Sequence, residues 1–155
     1  TVYGPWGRPD MALFKFTKAI LEENTIDVYN HGNHIRDFTY IDDIVDGIIK
    51  TLDNPAKKNI NWKSDNPDNA SSNSPWRIYN IGNNKKINLM SYIKELEKTL
   101  GKKAKINYLP LQEGDVPDTL ASIECLQKQF NYKPSTSIND GIYEFVNWYK
   151  NYFKI

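Results

Sequence analysis

The hydrophobic and polar residues of this chain follow two periods, one typical of helices and one typical of strands. Apolar residues three and four positions apart predict helices over residues 11–23, 43–52, 89–100, 122–130 and 138–153. Short alternating or β-branched runs predict strands at residues 2–3, 26–29, 36–40, 77–82 and 105–109. Because strands and helices alternate along the chain, we predict an α/β fold in a single domain.

Polar residues mark the predicted starts of two helices. Asp10 precedes the first apolar repeat and Asp42 precedes the second, and aspartate is a common N-cap because its carboxylate accepts backbone N–H bonds. The apolar residues of the second helix share one face, which we predict to point into the core: Ile44, Val45, Ile48, Ile49 and Leu52. Residues 57–75 are rich in Asn, Ser, Asp and Pro, which predicts an exposed loop.

Composition narrows the class of protein. The 20 Lys and Arg residues nearly balance the 19 Asp and Glu residues, so bulk charge gives no reason to expect nucleic acid or an acidic membrane surface as a partner. No apolar run approaches the roughly 20 residues of a membrane-spanning helix. The single cysteine, Cys125, excludes an internal disulfide and fits a reducing compartment, so we expect a cytoplasmic protein.

The first residues resemble the end of a β-strand that has no beginning. Thr1, Val2 and Tyr3 lead at once into a loop rich in Gly and Pro, and the chain does not start with Met. We therefore expect this chain to be part of a longer protein.

Arg36 is the strongest candidate for ligand binding. It lies between a Gly-Asn turn at residues 32–33 and the helix that is predicted to begin near Asp42. A guanidinium group matches a phosphate with two parallel hydrogen bonds and keeps its charge when partly desolvated. The alternative is an ion pair with Asp37 or with a nearby loop.

Arg8 and Asp115 are further candidates with simpler alternatives. Arg8 lies in a loop between a strand and a helix whose first amides can also face an anion, but a solvated surface arginine fits this position as well. Asp115 follows Gly114 and is suited either to accept hydrogen bonds from a sugar diol or to serve as an ordinary turn aspartate.

The remaining polar and aromatic clusters favour structural roles. His31 and His34 lack a carboxylate or cysteine at ligand spacing, so surface-loop histidines are favoured over a metal site. Asp42 and Asp43 lie at a helix start, which favours capping over paired catalytic carboxylates. The aromatic residues of the last helix favour a core and docking face, because no basic stripe accompanies them.

No motif for bond-making chemistry is present. The chain has no Gly-rich phosphate loop, no Ser-His-Asp order and no Tyr-x-x-x-Lys. We therefore predict neither catalytic residues nor metal ligands.

Several linked motifs nevertheless carry a family resemblance. They lie at residues 1–12, 26–29, 36–43, 79–83 and 112–116, and the third reads Arg-Asp-Phe-Thr-Tyr-Ile-Asp-Asp. In this order and at these distances, the chain resembles the C-terminal half of nucleotide-sugar epimerases of the extended short-chain dehydrogenase family. The UDP-glucuronate 4-epimerases are the most similar branch.

The resemblance implies a Rossmann-type enzyme with bound NAD, which oxidises C4 of the sugar and returns the hydride to the other face. In that family the Gly-rich cofactor loop and the Tyr-x-x-x-Lys belong to the N-terminal half. The chain alone is then expected to be inactive, to leave NAD to that missing half, and to contribute the UDP-sugar site. By position in the motifs, the resemblance implies that Arg36 contacts the diphosphate and Asp115 the ribose. Val28 and Tyr29 would then surround the uracil, and Ala12 and Leu13 would lie near the nucleotide. Arg8 and Thr1 would face the sugar or its carboxylate.

One departure from the family pattern lies beside Asp115. Related epimerases often place an arginine just before the Gly-Asp pair, where this chain has Gln112 and Glu113. Gln112 fits the glucuronate branch, whereas Glu113 replaces a common proline. The alternatives are a UDP-glucuronate decarboxylase, a sugar-nucleotide 4,6-dehydratase, and a non-catalytic module that binds UDP-sugars or associates with itself as a homo-oligomer.

Overall fold

Helices and short strands alternate along the whole chain, of which the computed structural model describes residues 1–155. The helices are α1 (Ala12–Leu21), α2 (Ile41–Leu52), α3 (Leu89–Leu100), α4 (Glu124–Phe130) and α5 (Ile138–Phe153). The strands are β1 (Val2–Tyr3), β2 (Thr25–Val28), β3 (Ile35–Arg36), β4 (Thr39–Tyr40), β5 (Ile87–Asn88) and β6 (Lys105–Tyr108). The predicted α/β class is confirmed, and each predicted helix is present with ends shifted by no more than a few residues.

The strands form three separate two-stranded sheets. β1 pairs with β4 and β2 pairs with β6, both in parallel, whereas β3 pairs with β5 in the antiparallel direction. The chain therefore bends from one sheet to another between β3 and β4. No helix has both the length and the apolar character needed to cross a membrane.

The main core lies between α1, α3, α5 and β2. Val28, Tyr92 and Leu96 are completely buried there, and the ring of Phe38 stacks on that of Tyr92 with centroids 4.1 Å apart. α3 forms where its sequence predicts it, because the side chain of Asn88 accepts a hydrogen bond from the N–H of Met90 at 2.8 Å.

Two predicted strands are wrong in their extent. Residues 36–40 are not one strand, since β3 and β4 have different partners and Asp37 lies between them. Residues 77–82 form no strand beyond one isolated bridge at Arg77. Beyond this segment, the N–H groups of Asn83 and Asn84 donate to the carboxylate of Asp37 rather than to a neighbouring strand.

Both predicted aspartate caps are also wrong. The N-cap of α1 is Met11, and Asp10 instead forms an ion pair with Arg8 at 3.3 Å. The N-cap of α2 is Tyr40, so Asp42 and Asp43 lie inside the first turn. Asp43 is buried, and its carboxylate accepts the backbone N–H groups of two residues that precede α5.

The apolar face of α2 does not point into the core. Val45, Ile48, Ile49 and Leu52 are 42%, 50%, 50% and 74% exposed. The buried face of the helix instead carries Asp43 and Gly47, and Gly47 lies against Ile81 and Tyr132. The periodicity identifies a common face correctly, but the elements that pack on α2 lie on another side.

Asp43 should be far more important for stability than its neighbour Asp42. Its carboxylate accepts N–H bonds from Ser135 at 3.0 Å and Thr136 at 3.1 Å. Asp43→Asn keeps the shape but removes the charge and turns one acceptor into a donor, so we expect a loss of about 2 kcal/mol in the free energy of unfolding in urea. Asp42→Asn, at an exposed position in the same turn, should cost less than about 1 kcal/mol. Equal losses would contradict this role of Asp43.

Candidate functional site

Five of the eight predicted site residues line one pocket of about 240 Å³. They are Thr1, Ala12, Tyr29, Arg36 and Asp115. The pocket lies where the start of α1, the end of β2, strand β3 and the loop after β6 meet. These elements are far apart in the sequence, so only the folded chain brings the five residues together.

A strained turn follows Tyr29 at the end of β2. Asn30 and His31 have φ angles of 51° and 50°, and Gly32 follows at 81°. A side chain at Gly32 would place its Cβ 2.6 Å from the sulfur of Met90 in α3. Glycine is therefore required there, both for the left-handed backbone and for the close approach of α3.

Arg36 and Asp115 form an ion pair inside the pocket. Nη2 of Arg36 donates to Oδ1 of Asp115 at 3.1 Å and lies 3.3 Å from Oδ2. Nη1 donates to the carbonyl oxygen of Pro117 at 2.7 Å. Arg36 is thus fixed by the loop that carries Asp115 and not by Asp37. Of the two ion pairs predicted as alternatives for Arg36, the structure contains the one with the loop.

His34 belongs to this pocket, and its predicted position in a surface loop is wrong. The residue is 4% exposed, its Nδ1 lies 3.1 Å from the carbonyl oxygen of Pro117, and its Nε2 lies 3.5 Å from Oδ2 of Asp115. Residues 34 and 36 share one side of an extended segment, because side chains alternate along a strand. That spacing is the signal that connects His34 with Arg36. His31, in contrast, is exposed as predicted.

The other three predicted site residues lie outside this pocket. Val28 is completely buried, and its carbonyl oxygen accepts the N–H of Leu109. Leu13 and Arg8 line a neighbouring cavity of about 420 Å³. The guanidinium group of Arg8 is largely exposed and pairs with Asp10.

The neighbouring cavity is mainly apolar and adjoins the pocket, since Thr1, Met11, Ala12 and Phe38 line both. Its wall includes Tyr92, whose hydroxyl group is buried without a hydrogen-bond partner. Burial raises the pKa of Tyr92 well above its usual value, so the hydroxyl group stays neutral. The cleft therefore combines a charged compartment with an apolar one.

The side chains of this arrangement suit the recognition of an anion. A guanidinium group, a carboxylate and a buried imidazole suit an anion that is joined to hydroxyl groups. No three His, Cys, Asp or Glu side chains lie close enough together to hold a metal ion.

Comparison with known proteins places this cleft in context. The model of the NAD dependent epimerase/dehydratase family matches residues 1–82, just over half of the 155 residues. The chain is 54% identical to "Protein CapI" of Staphylococcus aureus over 154 residues, covering 99% of this chain and 46% of that protein. It is 45% identical to a "Probable UDP-glucuronate 4-epimerase" of Rhizobium meliloti over 154 residues, covering 98% of this chain and 45% of that protein.

A solved structure has the same fold. The UDP-glucuronic acid 4-epimerase of Bacillus cereus, in complex with UDP-glucuronic acid and NAD, superposes with a TM-score of 0.80 at 31% identity. The match covers 98% of this chain and 43% of that chain. The chain thus spans less than half the length of these relatives.

Asp115 should compete with small anions for Arg36. Asp115→Asn removes the carboxylate that neutralises the guanidinium group, so we expect inorganic pyrophosphate to bind roughly fivefold more tightly, equivalent to about 1 kcal/mol. Isothermal titration calorimetry measures this difference. Glu113→Gln is the control, because it removes the same charge from an exposed residue two positions away. Equal affinities in Asp115→Asn and the unmodified chain would show that the ion pair does not limit anion binding.

Proposed function

This chain belongs to the NAD dependent epimerase/dehydratase family, and on that premise we propose that it is the nucleotide-sugar-binding region of a UDP-glucuronate 4-epimerase. The observation that carries the proposal is the pair of Arg36 and Asp115 in one pocket, 3.1 Å apart. The similarity to relatives named for this activity supports the choice of substrate. We propose that residues 1–155 form a single region of the longer enzyme and are inactive alone.

In this proposal the diphosphate of the ligand replaces Asp115 on Arg36. The ion pair is partly exposed, and such pairs contribute only about 0–1 kcal/mol. A diphosphate offers a stronger, doubly charged acceptor for the same planar donors. Asp115 is then free to accept hydrogen bonds from the ribose hydroxyl groups.

The uracil and the sugar take the two ends of the cleft. Tyr29 faces the pocket and borders the uracil. Val28 is buried behind Tyr29, so it contributes to this part of the site through its backbone rather than its side chain. Ala12 and Leu13 begin α1, whose N-terminal end favours the negative charge of the nucleotide. The sugar extends toward Thr1 and Arg8, and the exposed Arg8 turns from Asp10 to the carboxylate of glucuronate.

We propose that the glycine-containing loop between β1 and α1 is not the turn that binds NAD. A dinucleotide-binding turn needs free backbone N–H groups at a Gly-rich loop between a strand and a helix. In the loop between β1 and α1, the N–H of Gly7 donates to Gly4 and that of Met11 donates to Arg8. We therefore assign NAD to an N-terminal half that the longer relatives contain, and we assign the oxidation at C4 to that half as well.

The exposed apolar face of α2 is the surface that we propose for this N-terminal half. Val45, Ile48 and Ile49 form an unpartnered stripe, which is a typical sign of an interface. The relatives are about twice as long as this chain, so a second half is available to cover the stripe.

The free thiol of Cys125 agrees with the cytoplasm, where we propose that the enzyme acts.

Arg36→Ala should abolish most of the affinity for UDP-glucuronate. The variant removes the donors to the diphosphate and leaves Asp115 as an uncompensated negative charge beside it. We expect the dissociation constant in calorimetry to rise by at least about tenfold, a cost of about 1.4 kcal/mol or more. Arg77→Ala is the control, because it removes the same charge from a residue that lies outside the pocket. An unchanged affinity in Arg36→Ala would remove the diphosphate role from Arg36.

Ile48→Lys should weaken association with the other half of the enzyme. The remainder of the Staphylococcus aureus relative, outside the region that matches this chain, serves as the partner in calorimetry. We expect a loss of affinity of about tenfold or more, because a charge enters an apolar interface. Ile60→Lys is the control, since Ile60 is 82% exposed in the loop after α2 and outside the stripe. Equal losses in both variants would contradict an interface at α2.

The reassembled enzyme then tests the reaction itself. Conversion of UDP-glucuronate to UDP-galacturonate, followed by chromatography, is the expected result. Release of carbon dioxide would instead indicate a decarboxylase, and formation of a 4-keto-6-deoxy sugar from another nucleotide sugar would indicate a 4,6-dehydratase.

A further inference from the structure

We infer that His34 is a positioning residue, whose doubly protonated ring keeps Asp115 turned toward the ribose when Arg36 leaves it for the diphosphate. The inference rests on the proposed UDP-sugar site and adds a residue and a proton to it. It predicts that the bound ligand and a proton on His34 stabilise each other.

The contacts of the ring suit two N–H groups. Nδ1 of His34 lies 3.1 Å from the carbonyl oxygen of Pro117, which can only accept. Nε2 lies 3.5 Å from Oδ2 of Asp115, and this contact is an ion pair when the ring is protonated. A neutral ring has one N–H group and meets one of these two acceptors with a lone pair, whereas an imidazolium ring presents an N–H group to both. The ring is buried, so solvent does not readily replace the carboxylate as its partner.

Asp115 depends on such contacts because the hydrogen bonds to its carboxylate come from Arg36 and none comes from its own loop. The neighbouring Gly114 has a left-handed backbone with φ of 80°, and no atom lies within 4 Å of the position of a Cβ there. Arg36 is the second contact of the Asp115 carboxylate, at 3.1 Å. When Arg36 turns to the diphosphate, His34 is the residue that still faces Asp115.

The charges around His34 determine the direction of the effect. Asp115 favours the proton, whereas Arg36, which lines the same pocket, opposes it. Asp27 also lines the pocket, but its carboxylate accepts a hydrogen bond from Asn107 at 2.8 Å, and Tyr29 adds a neutral phenol. A diphosphate brings two negative charges and engages Arg36, so the bound state favours the imidazolium form.

Because the coupling between ligand and proton is reciprocal, the affinity for the ligand should depend on pH. If the ligand favours the proton, the proton favours the ligand by the same factor. Affinity should therefore rise as the pH falls from about 8 to about 6, the range in which histidine side chains commonly gain a proton. UDP-glucuronate is the suitable probe, because neither its diphosphate diester nor its carboxylate titrates in that range.

Calorimetry of the unmodified chain with UDP-glucuronate, at both pH values and in two buffers of different ionisation enthalpy, tests the inference. We expect roughly fivefold tighter binding at the lower pH, with net uptake of protons. His34→Gln should lose both effects, whereas His31→Gln should keep both, because His31 is an exposed histidine three positions away. Asp115→Asn should also lose the pH dependence. Because this variant changes a half-exposed residue, it tests the inference even if His34→Gln fails to fold.

The possible outcomes separate the two proposals. Binding that is equally pH-dependent in His34→Gln and in the unmodified chain would overturn the role of His34, and so would binding of the unmodified chain that is independent of pH. Absence of binding at both pH values would overturn the proposed UDP-sugar site, and the role of His34 with it.

Discussion

The fold around the cleft depends on the buried carboxylate of Asp37. It accepts backbone N–H bonds from Asn83 at 3.0 Å, Asn84 at 3.1 Å and Ala121 at 3.0 Å, and the residue is 3% exposed. These three donors offset the cost of burying the carboxylate. Gly82 lies so close that a Cβ there would approach Oδ2 of Asp37 to 2.9 Å. Three distant segments are thereby joined directly beside Arg36.

This junction allows one short strand to organise a binding site. The carbonyl oxygen of Pro117 faces the N–H of Ile35 at 3.1 Å, Nη1 of Arg36 at 2.7 Å and Nδ1 of His34 at 3.1 Å. The loop that carries Asp115 is therefore fixed to β3 by main-chain and side-chain bonds together. The cation and the carboxylate are paired and partly desolvated in the structure, and the proposal is that this pairing orients both groups for a ligand that carries a phosphate and a diol.

The surfaces of the chain agree with a role as one part of a larger enzyme. One side of α2 is apolar and exposed, although the helix itself is held firmly by the bonds of Asp43 to Ser135 and Thr136. A helix that is rigid and has an uncovered apolar stripe suits an interface better than a core. The cleft, by contrast, brings Arg36 and Asp115 together at 3.1 Å, and the proposed nucleotide-sugar recognition rests on this pair.

The sequence by itself determined the α/β class, the extent of α3 over Leu89–Leu100, and the choice of Arg36 and Asp115 as candidates, because helix periodicity and side-chain charge are local properties. Only the tertiary structure decided that these two residues meet across 79 positions, that His34 is buried beside them and that the apolar face of α2 is exposed. Periodicity states which side chains share a face, but burial depends on what packs against that face. Asp37 divides the predicted strand at residues 36–40 for the same reason, since its partners lie up to 84 positions away and no local pattern specifies them.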